Sequence, residues 1–144
     1  MLEVKFYDYV ADELLKFAVI ISKTNGKWIF CKHRERETFE IPGGHRELGE
    51  SIMDTARREL AEETGAVEFN IKPICVYSVK GKTRVNENDE TESFGMLFIA
   101  DVFSFEELHS EIEKILITDT LAENWTYPFI QPKLIEEAQN RGYI

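Results

Sequence analysis

The stretch from Ser51 to Gly65 constrains this chain more than any other. Ser51 with Asp54 three residues on has the form of a helix N-terminal cap, and Gly65 is a natural C-terminal stop, so a helix is expected over 51 to 64. At about 100° per residue, with Ile52 set at zero, Ile52, Ala56, Leu60 and Met53 fall at roughly 0°, 40°, 80° and 100°, which marks the arc facing the core. On the same wheel Glu59, Glu63 and Glu62 fall at roughly −20°, 20° and −80°. In a chain with 27 acidic side chains an acidic helix flank is ordinarily solvated surface. Here the solvent side is instead held by Asp54, Arg57, Arg58 and Ala61, and two of the three glutamates lie inside or beside the buried arc.

Carboxylates crowded at a partly buried flank repel one another and lose hydration, and a fold offsets this with hydrogen bonds, a neighbouring cation or a bound metal. Arg58, four residues before Glu62, can offset one charge. Hard oxygen ligands without His or Cys favour Mg²⁺ or Mn²⁺ over zinc.

The remainder reads as one α/β domain over residues 1 to 144, since a chain of this length holds one core and shows neither linker nor repeat. Strands are expected at 3 to 9, 14 to 22, 69 to 79, 93 to 103 and 114 to 118. A hairpin is expected at Asn25-Gly26, leading into 27 to 31, and Lys80 to Thr91 reads as a loop. Phe129, Ile130, Leu134, Ile135 and Ala138 recur at helical spacing between Pro128 and Asn140. Ile41-Pro42-Gly43-Gly44 breaks the strand pattern, and its glycines are expected to let the backbone turn tightly.

A net charge of −10 disfavours stable attachment to nucleic acid backbones, leaving a small phosphate-bearing ligand bound through a cation. The N-terminus lacks the layout of a signal peptide and no apolar run approaches a membrane span, so the expected location is the cytoplasm. Cys31 and Cys75 sit among strand-like apolar residues and read as small buried hydrophobes, neither of them beside the acidic helix.

Outward from the helix the chain reads Gly44, five residues, Glu50, seven residues, Arg58-Glu59-Leu60-Ala61-Glu62-Glu63-Thr64-Gly65-Ala66. This resembles the box of the Nudix hydrolase family over residues 44 to 66, with every charged and glycine position matched and Ala66 standing where a larger aliphatic residue is usual. The resemblance implies an α/β/α sandwich around a mixed β-sheet. It also implies hydrolysis, dependent on Mg²⁺ or Mn²⁺, of a pyrophosphate bond in a nucleoside diphosphate linked to another group. By position it assigns Glu59, Glu62, Glu63 and the carbonyl of Gly43 to the metals, and Glu59 or Glu62 to the general base. Gly44, Glu50, Arg58 and Gly65 become structural supports, and a further acidic ligand is expected from Glu111, or failing that Glu113.

Substrate choice lies outside the box. A chain this short resembles the members that convert nucleoside triphosphates, including oxidised ones such as 8-oxo-dGTP, to monophosphate and pyrophosphate. ADP-ribose and dinucleoside polyphosphates stand as alternatives. Lys32, Arg34, Arg36 and His45 are candidates for phosphate contacts, and Phe39, Asn124, Trp125 and Phe129 for contacts to a base. A nucleotide sensor without turnover is a second class, disfavoured by the intact glutamates, and an isoprenoid diphosphate isomerase would want a cysteine beside the box. A homodimer is compatible with the sequence.

Overall fold

The computed structural model describes residues 2–81, 91–108 and 112–144. Its strands are β1 (Glu3–Tyr7), β2 (Leu15–Thr24), β3 (Lys27–His33), β4 (Gly43–His45), β5 (Ala66–Lys80), β6 (Glu92–Phe105) and β7 (Ile112–Thr118). Its α-helices are α1 (Ile52–Thr64) and α2 (Gln131–Asn140), and a single 3₁₀ turn, Asp12–Leu14, leads into β2. The strands form one sheet in the order β1-β5-β6-β2-β3-β7, with β4 added alongside β2. β2 and β6 run parallel and every other pairing is antiparallel, so the sheet is mixed.

Each face of the sheet carries its own core. On one face Ile52, Ala56 and Leu60 of α1 pack with Leu15, Ile20, Val76 and Phe98. On the other, Leu134, Ile135 and Ala138 of α2 pack with Ile21, Phe30, Tyr77 and Leu97. β2 is apolar on both sides because both sides are covered, which is why it reads as a continuous hydrophobic run and not as an alternating one. The α/β/α sandwich expected from the sequence is the fold observed.

The turn between β2 and β3 places Asn25 at φ 50° and Gly26 at φ 78°, the left-handed pair that a two-residue hairpin needs. Four expectations are corrected. β1 ends at Tyr7. β5 starts directly after Gly65, earlier than expected, because Ala66 is buried against the α1 core. α2 starts only at Gln131, since the 127–130 segment closes a turn from Ile130 N–H to the Tyr127 carbonyl (3.2 Å). Gly43-Gly44 does not turn: it forms β4, extended beside β2.

Candidate active site

α1 is fixed at both ends. Ser51 Oγ accepts from Asp54 N–H (3.0 Å) while Asp54 Oδ2 accepts from Ser51 N–H (3.1 Å), a reciprocal cap. Gly65 closes the helix at φ 79°, its N–H donating to the Ala61 carbonyl; a Cβ there would also overlap the carbonyl of Glu106. Held this way, α1 turns Glu59 and Glu63 toward β4, and the wheel's assignment holds. The Glu63 side chain is 10% exposed and that of Glu59 13%, against 50% for Glu62.

The glycines of β4 make that approach possible. A Cβ at Gly44 would overlap the Glu59 carboxyl group, and one at Gly43 would press on the Ala18 carbonyl. Gly43 also donates its N–H to Glu63 Oε1 (2.7 Å). The glycines are required for close approach of strand and helix, not for a tight turn.

Arg58 is the hub of the cluster. Its Nε and Nη2 grip Glu50 (2.6 and 3.1 Å), Nη1 donates to Glu59 Oε1 (2.6 Å) and, more distantly, to Glu62 Oε2 (3.4 Å), and Nη2 also reaches the His45 carbonyl (3.0 Å). The fork holds the Glu50 carboxyl down at about 2, helped by the Glu47 N–H. Glu59 behaves oppositely: burial, and then the charge of Glu63, lift its carboxyl to about 7. His33 Nε2 lies 3.5 Å from Glu63 Oε2, and its hydrogen bond to Glu63 raises the imidazole pKa. Sequence alone places Arg58 on the solvent side; it instead folds back over the glutamates because Glu50 draws it there.

Two cavities meet at this cluster, sharing His33 and Glu63. The acidic one, about 630 Å³, is bordered by Arg58, Glu59, Glu62 and Glu63 and also by Glu106 and Glu107. The other, about 500 Å³, runs from Gly43, Gly44 and His45 to Phe17, Tyr77, Tyr127 and Gln131 beneath α2. Glu111 lies outside the described residues. Glu113 is ion-paired to Lys32 across β3 and β7, which keeps it out of the acidic cavity. Glu106 and Glu107, just past the end of β6, were missed, because what brings them to the cavity is the antiparallel register of β6 on β5, whose first residue follows the helix, and a register across strands is not visible in the sequence.

Among the proposed substrate contacts, His45 lines the second cavity and stands edge-on to Phe17 (6.0 Å between centroids), and Arg36 lines it too. Lys32, Arg34, Phe39 and Asn124 line neither cavity. Lys32 is taken up by Glu113 and Arg34 is exposed. Phe39 and Trp125 pack into the core below α2, and exposed Asn124 accepts the Phe39 N–H on its backbone carbonyl (2.7 Å). Phe129 is exposed. Both cysteines are free and buried as expected, but Cys31 does sit beside the box, its thiol donating to the Glu63 carbonyl at 3.3 Å. Burial and the adjacent carboxylates push that thiol well above its usual range, so it is poorly suited to act as a nucleophile.

Among the described residues no three His, Cys, Asp or Glu side chains are arranged to hold a metal ion as they stand. The reason is visible in their partners: Glu59 is drawn to Arg58, and Glu63 to Gly43 N–H and His33. In chemistry the donor set still fits a hard divalent cation, being all oxygen and partly buried, with like charge from Glu63 beside Glu59.

Fold and cluster together define an α/β/α sandwich domain with one composite site, an acidic pocket continuous with an aromatic-lined one. The NUDIX domain model matches residues 13–123, and the chain belongs to that family. It is 35% identical over 83 residues to Bacillus subtilis (strain 168) YtkD, which carries the provisional name of 8-oxo-dGTP diphosphatase; the match covers 58% of this chain and 52% of that protein. The chain thus spans about half the length of that relative. The structure of the Bacillus subtilis pyrophosphohydrolase BsRppH superposes with a TM-score of 0.78 at 25% identity, covering 99% of this chain and 92% of that one. The NUDIX domain of Shewanella oneidensis NrtR, solved with ADP ribose, shares the fold with a TM-score of 0.58 at 18% identity, covering 94% and 93% of the two chains.

Proposed function

We propose that this protein hydrolyses a pyrophosphate bond in a nucleoside diphosphate linked to another group, with nucleoside triphosphates, oxidised ones included, as the substrate class and monophosphate plus pyrophosphate as products. The observation that carries this reading is the pairing of Glu59 with Glu63 at a buried helix flank, against a glycine strand cleared for them. Membership of the family and the 35% relative support it.

Glu59, Glu62 and Glu63, with the Gly43 carbonyl, would hold Mg²⁺ or Mn²⁺, and Glu106 and Glu107, which border the same cavity, would add to the acidic set alongside Glu111. Such an ion polarises phosphoryl oxygens and acidifies a bound water. The chain's own residues do the rest. Arg58 fixes the direction of Glu59 and ties it to the 47–50 segment through Glu50, a positioning role. Glu59 is the better base of the two candidates, because its carboxyl is the more buried and is aimed at the glycine strand, whereas Glu62 is half exposed. His45 lines the aromatic cavity beside the glycines of β4 and supplies a donor to phosphate oxygens.

The test is release of phosphate and pyrophosphate from nucleoside triphosphates, 8-oxo-dGTP, ADP-ribose and diadenosine polyphosphates, with Mg²⁺, with Mn²⁺ and with chelator. Chelator-sensitive pyrophosphate release from triphosphates is the expected result. Release from ADP-ribose or the dinucleotides alone would replace the substrate class, and nucleotide binding without release from any would make the protein a sensor.

A further inference from the structure

The aromatic-lined cavity contains two polar groups that the hydrolytic site does not use. Gln131, at the first turn of α2, is 4% exposed, and Glu40, at the cavity's opposite chain segment, is 6% exposed. Burying an amide and a carboxylate is costly unless each is hydrogen-bonded, and each is bonded through one atom only. Gln131 Oε1 accepts the Ile41 N–H (2.8 Å), which fixes the amide: reversed, it would set a donor against a donor. Nε2 then has no acceptor among the described residues. Glu40 Oε1 accepts from Arg36 Nη1 (2.9 Å) and faces His33 Nε2 at 3.8 Å, leaving Oε2 with no donor among the described residues.

Among the described residues Ser22 Oγ is the one fully sealed side-chain polar atom without a partner, so Nε2 and Oε2 both keep accessible surface. Both residues line the same cavity, about 500 Å³ and walled by Phe17, Tyr77 and Tyr127. The two are coupled through the backbone, since the N–H that orients Gln131 belongs to the residue after Glu40. The wall thus presents one donor and one charged acceptor side by side, in a ring-lined space that suits a planar heterocycle.

We propose that Glu40 and Gln131 read the Watson–Crick edge of a 6-oxopurine. Gln131 Nε2 donates to the ring carbonyl, and Glu40 Oε2 accepts from the adjacent ring N–H and, in guanine, from the exocyclic amine. Guanine satisfies the amide and offers the carboxylate two donors; adenine offers it one. The inference rests on the reading of the chain as a nucleotide pyrophosphohydrolase and assigns the specificity of that same site.

The experiment is equilibrium binding of GMP, IMP, AMP and CMP to the full chain in chelator, by calorimetry or ligand-observed NMR, so that hydrolysis plays no part. GMP is expected to bind roughly ten- to hundred-fold more tightly than AMP, the range set by one hydrogen bond to a charged group made or left unmade, and IMP, which lacks the exocyclic amine and offers the carboxylate one donor, is expected to lose most of that advantage. Two near-isosteric substitutions should each abolish that preference. In Glu40→Gln, Arg36 retains the amide oxygen and turns a donor toward the ring N–H; in Gln131→Glu, Ile41 N–H retains one oxygen and turns the other toward the ring carbonyl. Equal or tighter binding of AMP by the wild-type chain would overturn the proposal even if neither variant folds. So would a GMP preference surviving in either folded variant. A GMP preference in a protein that hydrolyses nothing would leave the reader standing and remove the hydrolase; hydrolysis indifferent to the base would do the reverse.

Discussion

Glu50 and Glu59 share one arginine and are driven in opposite directions by it and by their surroundings. Glu50 accepts two arms of the Arg58 fork plus a backbone N–H and stays ionised down to about 2. Glu59 accepts one arm, but burial and the Glu63 charge outweigh it and hold the carboxyl near 7. A folded-state pKa above the unfolded value means that the folded state binds the extra proton. Stability from this group is therefore fully present below the ordinary carboxylate range and is lost as pH rises through 7. The metal-free protein should thus weaken between about pH 4.5 and 7, by about 3 kcal/mol from this group. Glu59→Gln removes the titration: thermal midpoints of the variant should be flatter across that window and higher than wild type at pH 8, while turnover falls by about two to four orders of magnitude. A variant as pH-sensitive as wild type would show that the carboxyl at position 59 is not the one titrating. Glu62→Gln, half exposed, should lose turnover without the gain in stability.

At the scale of elements, α1 is held by its ends as much as by its face. Ser51→Ala deletes one arm of the reciprocal cap and should cost about 1 kcal/mol, read as a lower thermal midpoint with turnover retained. Gly44→Ala is expected to act the other way round. It sits in an extended strand that any residue can adopt, but its methyl would displace the Glu59 carboxyl, so turnover should collapse with a far smaller loss of stability. A Gly44→Ala enzyme with normal turnover would mean that Glu59 does not work from the position it holds against β4. These elements also show what the sequence could and could not disclose. The caps, the buried arc and the Asn25-Gly26 hairpin are local, and composition and periodicity identify them. The role of Gly44 is not local: the atom that forbids a side chain there lies on residue 59, across the sheet face. For the same reason the side chains picked out before the glycines and near the second helix do not all reach a cavity. Lys32 is consumed by Glu113, a partner set by the β3–β7 register, and Asn124 is exposed, whereas Glu40 and Gln131 join Arg36 in the cavity wall.

Across the whole molecule the sheet works as a plate whose two faces are covered by separate cores, and the site lies where β4 and α1 meet at one of its ends. A domain with a net charge of −10 that also gathers Glu59, Glu62, Glu63, Glu106 and Glu107 around one cavity concentrates like charge locally and places it in the folded state alone. Unfolding would disperse those carboxylates, so a cation that gathers them should favour the fold by mass action. Mg²⁺ at a hundred times its dissociation constant should add about 2.7 kcal/mol, or on the order of 5–10 °C in thermal midpoint for a domain of this size. The control separates this from general screening. An equal ionic strength of NaCl should raise the midpoint much less, and Glu59→Gln and Glu63→Gln should each blunt the Mg²⁺ response while leaving the NaCl response unchanged. A midpoint that responds to Mg²⁺ and NaCl alike at matched ionic strength would show that the carboxylates feel only a diffuse ion atmosphere, and that no divalent ion is held between helix and strand.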